Sequence, residues 1–181
     1  MTKAYRVGDV VFDLDANDKP EAQELLGRWL HYSKDHLPEL VTENPFAERI
    51  GHLIDHPNFA RKKSTCPRGS FEEPNCMGTA LWIARLSDRD EPCYAMTSEV
   101  KMHLNGDHRK IPGSFVITWQ RGKDLINHMG VYLGMLNNLP VMFAQHGPKG
   151  DFVYEVYYEG ANWKKSGLTK PKHYVPGVLG V

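Results

Sequence analysis

Cysteine is scarce in this chain, with three in 181 residues. An odd count spread over a mid-sized sequence is no disulfide framework, which takes paired cysteines in a short secreted chain. It predicts reduced thiols. An excess of either charge is missing too, because 22 Lys plus Arg balance 22 Asp plus Glu. Phosphate-binding proteins carry a basic excess or stripe, so the balance argues against nucleic acid as a partner. No window approaches the roughly 18 consecutive apolar residues that would insert in a membrane. The N-terminus, Met1 to Asp9, lacks the apolar stretch of about 7–15 residues found in secretory signals. That predicts a cytoplasmic chain as synthesised, with a specialised export route as the way to act elsewhere. Internal repeats and low-complexity tracts are absent. At 20.6 kDa, folding buries roughly 70% of the unfolded chain's surface, enough for one core and a single domain over 1–181.

Local patterning divides the chain in three. Val7 to Phe12 is strand-like, and Asp13 to Pro20 is rich in turn residues. Ala22, Leu25, Leu26, Trp29 and Leu30 recur at helical spacing and predict a helix over Glu21 to Tyr32. Phe46, Ile50, Leu53 and Ile54 predict a second over Pro45 to His56, closed by Pro57. Residues 61–75 have loop chemistry, with Pro67, Gly69 and Pro74. The run Asn75 to Leu86 is too long and apolar for a strand. It predicts a buried helix with Asn75 as N-cap. Four strand-like runs follow: Gly113 to Gln120, His128 to Leu133, Leu139 to Gln145 and Phe152 to Tyr158, with a weaker one at Tyr174 to Leu179. Helices followed by an antiparallel meander predict an α+β fold.

Within that plan Cys76 stands at a helix start. The partial positive charge and unpaired N–H groups there stabilise a thiolate and could hold an oxyanion. A thiolate nucleophile needs a base, and His128 opens an otherwise apolar strand. The next strand ends in Gln145 and His146, and either could hold the imidazole in one tautomer as a triad's third member does.

The residues around these positions resemble a known family. Asn75-Cys76-Met77-Gly78-Thr79-Ala80 is similar to the Asp-Cys-Ser-Gly-Leu-Val motif of the NlpC-type peptidases, papain-like cell-wall hydrolases. Ile111 to Ile117 resembles their Pro-Gly-Asp-Leu-Val-Phe strand, and His128 to Gly134 their His-Val-Gly-Ile-Tyr-Leu-Gly strand. The likeness covers Asn75 to about Gly147. It implies a papain-like α+β fold, with the nucleophile's helix packed on a small antiparallel sheet. It also implies Cys76 as nucleophile, His128 as general base and acid, and His146 ahead of Gln145 as third residue. The implied substrate is a peptide or muropeptide cut at an amide bond through a thioester, without cofactor or metal. Ser114 stands where the family has Asp, no upstream Tyr is evident, and residues 1–60 match none of its motifs. Those 60 residues are expected to form a helical portion packed on the catalytic domain and to offer a surface to a protein partner.

Two other functions fit the same residues. One is acyl transfer to an amine or alcohol, as in transglutaminases, and the other a binding module without turnover. The remaining clusters predict less. His52 and His56 have zinc-ligand spacing on a helix, but no third ligand is evident. Cys66 and Cys93 form no Cys-x-x-Cys pair, Arg61-Lys62-Lys63 predicts a solvated loop, and Trp29, Trp82 and Trp119 predict core. Trp163 is expected to be exposed.

Overall fold

The fold is described from a computed structural model over residues 4–7, 10–13, 20–62, 73–146, 150–160 and 163–179. Cys66, Lys63, most of the 61–75 loop, the 14–19 turn and Gly147 lie outside the described residues.

The chain opens with strands β1 (Ala4–Val7) and β2 (Val10–Asp13), then helices α1 (Pro20–Ser33), α2 (Leu37–Thr42) and α3 (Ala47–Asp55). Helix α4 (Cys76–Ile83) and the short α5 (Thr97–Lys101) follow. Strands β3 (Phe115–Trp119), β4 (Ile126–Leu136), β5 (Leu139–Gln145), β6 (Phe152–Tyr157) and β7 (Lys172–Tyr174) complete it. This is an α+β protein. Its seven strands form one sheet in the order β1-β2-β6-β5-β4-β3-β7. The meander β3 to β6 is antiparallel as expected, but the sheet is larger than the predicted one and mixed. The N-terminal hairpin β1–β2 adds to its edge, and β2 runs parallel to β6. Tight turns join only antiparallel neighbours, so this pairing between distant segments leaves no local pattern.

The elements form for local reasons. Helix α4 is apolar around its circumference, as a core helix is, and residues 78 to 83 are all buried. The Asn75 side chain caps it by accepting from Gly78 N at 2.9 Å. Arg85, at φ 59°, ends it, with Arg85 N donating to Trp82 O and Leu86 N to Leu81 O. That is the paired closure of a Schellman turn. Asn137 and Asn138, at φ 47° and 65°, make the two-residue turn between β4 and β5.

The N-terminal helices share the sheet's core rather than standing apart. Trp29, Leu37, Ile50 and Leu53 join Phe115, Met129, Val131 and Phe143 in one buried cluster with α4. Trp29 Nε1 donates to Leu136 O at 2.9 Å. Beside a register shift in the β4–β5 pairing between Tyr132 and Gly134, the Tyr132 carbonyl points the other way, toward the segment that leads into β3. Asn44 Nδ2 and Gly113 N both donate to it, at 2.9 and 2.8 Å, so α2–α3 is tied to β4 where β4 is irregular.

The opposite face of the sheet is covered too. Val116, Tyr132, Met142, Tyr157, Trp163 and Leu168 form a second buried cluster there. Trp163 is thus not exposed as expected but 4% accessible. The segment after β6 turns back over the sheet, with Arg121 N bonding Gly167 O and Trp119 pairing with Thr169. The polar residues around Trp163 are those of its turn, and the sheet beneath supplies the burial. Trp29 and Trp82 are buried, and Trp119 partly so. Among the described residues, no helix is long and apolar enough to cross a membrane.

Candidate functional site

Cys76 is the first residue of α4, with a half-buried free thiol. Three contacts fix its place. Asn75 Oδ1 caps Gly78 N and also accepts from Ala95 N at 3.1 Å, while Asn75 Nδ2 donates to Ala95 O at 2.8 Å. One side chain therefore binds the helix start to the 93–95 segment. A turn later, Thr79 Oγ1 donates to Gln145 Oε1 at 2.8 Å and pins this side of the helix over the end of β5. The N–H groups of Cys76 and Met77 precede the first intrahelical bond, Thr79 N to Asn75 O.

Gln145 is fully buried. Its amide also donates to Ala60 O and Gly150 O, at 3.0 and 3.1 Å. Its hydrogen bonds thus go to the helix and the loops, and its work is to dock α4.

His128 lies near the start of β4, after a register shift opposite Thr118 and Trp119. Its imidazole lies close enough to Cys76 for the thiol to act on its titration, and its Nε2 meets the Glu155 carboxylate at very short range. His146 follows β5 and reaches the other oxygen, its Nδ1 2.8 Å from Glu155 Oε1. The two imidazole rings stand edge to face, 6.0 Å apart. The residue hydrogen-bonded to His128 Nε2 is therefore Glu155, and His146 binds the other oxygen of that carboxylate.

Register explains the meeting. Tyr132, Met142 and Glu155 are cross-strand partners, so they share a sheet face. His128 and His146 lie four residues along on the same parity, with Gly130 and Ala144 between. A Cβ at Gly130 would stand 2.8 Å from Met142 Sδ and 3.0 Å from Ala144 Cβ. The bare Gly130 therefore lets Met142 and Ala144 pack directly on β4 between the two positions. Glu155 has one sequence signal, as the sole charge in an otherwise apolar and aromatic strand. Only the register connects it to His128.

The electrostatics follow from burial. Desolvation alone would lower the His128 pKa. The Glu155 charge, with hydrogen bonds to Cys76 and Glu155, outweighs it and holds the imidazole well above the ordinary histidine value. Burial alone would raise Glu155, but the charge and hydrogen bonds of the two histidines hold it well below the usual carboxylate range. A depressed carboxylate stabilises the fold above its unfolded pKa and loses that as pH falls through the folded value. A raised histidine stabilises below its unfolded pKa and loses that as pH rises through the folded value. The pair's contribution is thus full between about pH 4.5 and 6.5, the unfolded values of the two groups. In Glu155→Gln, the fall in melting temperature on either side of that window should flatten. The wild-type profile persisting in that variant would dismiss the ion pair.

Other predicted residues sit elsewhere. His52 and His56 stack at 4.4 Å between ring centres, exposed on α3 and just past its end. Arg61 pairs with Asp151 at 2.6 Å and Lys62 with Glu91 at 2.7 Å. Cys93 is a buried free thiol beside Glu91 O. Ser114 is buried and meets His173 Nδ1 at 3.0 Å, while Tyr157 OH meets Nε2 at 2.9 Å. Burial, with Lys110 nearby, lowers His173 to about 4, so this histidine stays neutral among its hydrogen-bond partners.

No family model matches the chain, and neither a curated protein nor a solved structure matches it. Its chemistry rests on the geometry above.

Proposed function

We propose that the protein is a cysteine hydrolase of amide bonds with a papain-like site. The observation that carries this is the chain of contacts from Cys76 through His128 to Glu155 at a helix N-terminus. The His128 imidazole takes the thiol proton, and the thiolate attacks the amide carbonyl carbon. The N–H groups at the start of α4 stabilise the oxyanion. Imidazolium His128 protonates the leaving amine as the C–N bond breaks, leaving a thioester on Cys76. Water, deprotonated by His128, then attacks the thioester, and acid and thiolate separate. Glu155 holds the ring and offsets its positive charge through both steps.

The resemblance of the Cys76 and His128 motifs to NlpC-type peptidases supports peptide stems of the bacterial cell wall as substrate. Incubated muropeptides should yield product pairs whose masses sum to the substrate plus one water. An acyl group appearing on an added amine instead would replace hydrolysis by transfer. Cys76 should also react with iodoacetamide at pH 6 faster than glutathione does, and His128→Ala should remove that advantage. A wild-type rate no higher than glutathione's would leave the mechanism without an activated nucleophile.

A further inference from the structure

The three side chains behind Cys76 have the composition of a metal site. One ring nitrogen each of His128 and His146 and a Glu155 oxygen all lie within 4.8 Å of one another, and His128 Nε2 and His146 Nδ1 are the nitrogens bonded to that carboxylate. Around a tetrahedral zinc ion with bonds of about 2.0–2.1 Å, ligand atoms stand about 3.4 Å apart. From separations of at most 4.8 Å, the atoms need to close by no more than about 1.4 Å to surround such an ion. They come from β4, the end of β5 and β6, which are hydrogen-bonded neighbours, so the backbone already holds them together. Two imidazoles and one carboxylate suit zinc better than magnesium or calcium, which prefer oxygen.

The carboxylate has further reason to take a cation. Glu155 is fully buried. Among the described residues its hydrogen bonds run to the two imidazoles and to no lysine or arginine. In the metal-free protein the His128 imidazolium compensates the buried carboxylate, and a divalent ion takes over that role while displacing the protons shared with the imidazoles. His146 is the way in, with its side chain 32% exposed against 14% for His128. Cys76 is not part of this cluster and is no ligand.

We propose that His128, His146 and Glu155 bind one zinc-class divalent ion, and that its binding switches the hydrolase off. The ion binds Nε2 and draws His128 from Glu155. A metal-bound ring carrying that positive charge no longer serves as acceptor for the Cys76 proton. Binding stands by itself, and the switching rests on the hydrolase reading.

The test uses the full chain freed of metal, with circular dichroism confirming the fold of each variant. Zinc is titrated in competition with a chromophoric chelator. One ion per chain is expected. Cys76→Ala should bind within about twofold of wild type, and His146→Ala and Glu155→Gln at least tenfold more weakly, by the scale of ligand-shell losses. The cobalt(II) form of the wild type should absorb in the visible without a thiolate charge-transfer band. Absence of zinc binding, loss of it in Cys76→Ala, or wild-type affinity in His146→Ala would each overturn the site. In muropeptide cleavage, zinc should inhibit the wild type, and half-inhibition of His146→Ala should need at least tenfold more. Activation by zinc would overturn the switch. If muropeptides are cleaved but zinc does not bind, the zinc site alone fails. If zinc binds but no amide is cleaved, the hydrolase reading fails and the site stands.

Discussion

Cys76→Ala should abolish amide cleavage, by roughly 10⁴-fold or more, while leaving the circular dichroism spectrum unchanged. Removing a nucleophile leaves only the oxyanion donors and substrate binding, and losses of this size follow in other hydrolases. The fold has little reason to respond. The thiol is half-buried, and alanine is a good helix former at the first helical position. The Asn75 cap and the Thr79–Gln145 bond, which hold the helix start, do not involve Sγ. Time courses of muropeptide products by mass spectrometry measure the effect. Residual cleavage above about one per cent of wild type would mean that Cys76 forms no acyl-enzyme, since the oxyanion donors alone do not sustain that rate.

Glu155→Gln tests the next contact and should act differently. The amide keeps the size and one acceptor but loses the charge that favours imidazolium, as when a triad aspartate becomes asparagine. A loss of roughly 10²–10⁴-fold in kcat is expected, and the alkali side of the pH profile of alkylation should shift toward lower pH. A variant with unchanged rate and profile would reduce Glu155 to packing.

The parts of this arrangement that depend on near neighbours are legible in the sequence. Asn75, followed by an unbroken apolar run, specifies a capped, buried helix. The alternation in β3 to β6, broken by Asn137-Asn138 and other turn residues, specifies the meander. What requires tertiary pairing is not legible. Glu155 belongs to β6 and His128 to β4, with β5 between them. Which polar residue reaches the imidazole depends on register across three strands. Without it the choice stays between Gln145 and His146, and the lone charge of Glu155 in its apolar strand does not say what it meets. Gln145 has the parity that faces α4, so it docks the helix. Trp163 misleads for a related reason, since a polar turn gives no sign that a sheet face lies beneath it. The hairpin β1–β2 reads as a lone strand before a turn, and its parallel docking on β6 comes from about 140 residues away. Short α2 and α5, of six and five residues, are below the length at which apolar periodicity shows.

Gly78→Ala should destabilise the whole protein, because the nucleophile's helix touches the 93–95 segment through backbone. A Cβ at residue 78 would stand 1.5 Å from Cys93 O and 2.7 Å from its carbonyl carbon. No side chain can rotate away there, so α4 and the segment must separate. Overpacking usually costs 1–3 kcal/mol where side chains can yield. A backbone clash this close should cost at least about 3 kcal/mol, or about 10 °C in melting temperature for a chain of this size. The separation also pulls on Asn75, which holds Ala95 by two hydrogen bonds while capping Gly78 N. It therefore moves Cys76 from His128, and activity should fall further than the unfolded fraction explains. Gly51→Ala is the control: it lies in α3, and a Cβ placed there would meet nothing within 4 Å. Alanine there improves helix propensity by about 0.5–1 kcal/mol and should hold or raise the melting temperature. Gly78→Ala melting with the wild type would mean that the 93–95 segment is free to move off α4, and the rigid seat that this geometry gives Cys76 would be lost with it.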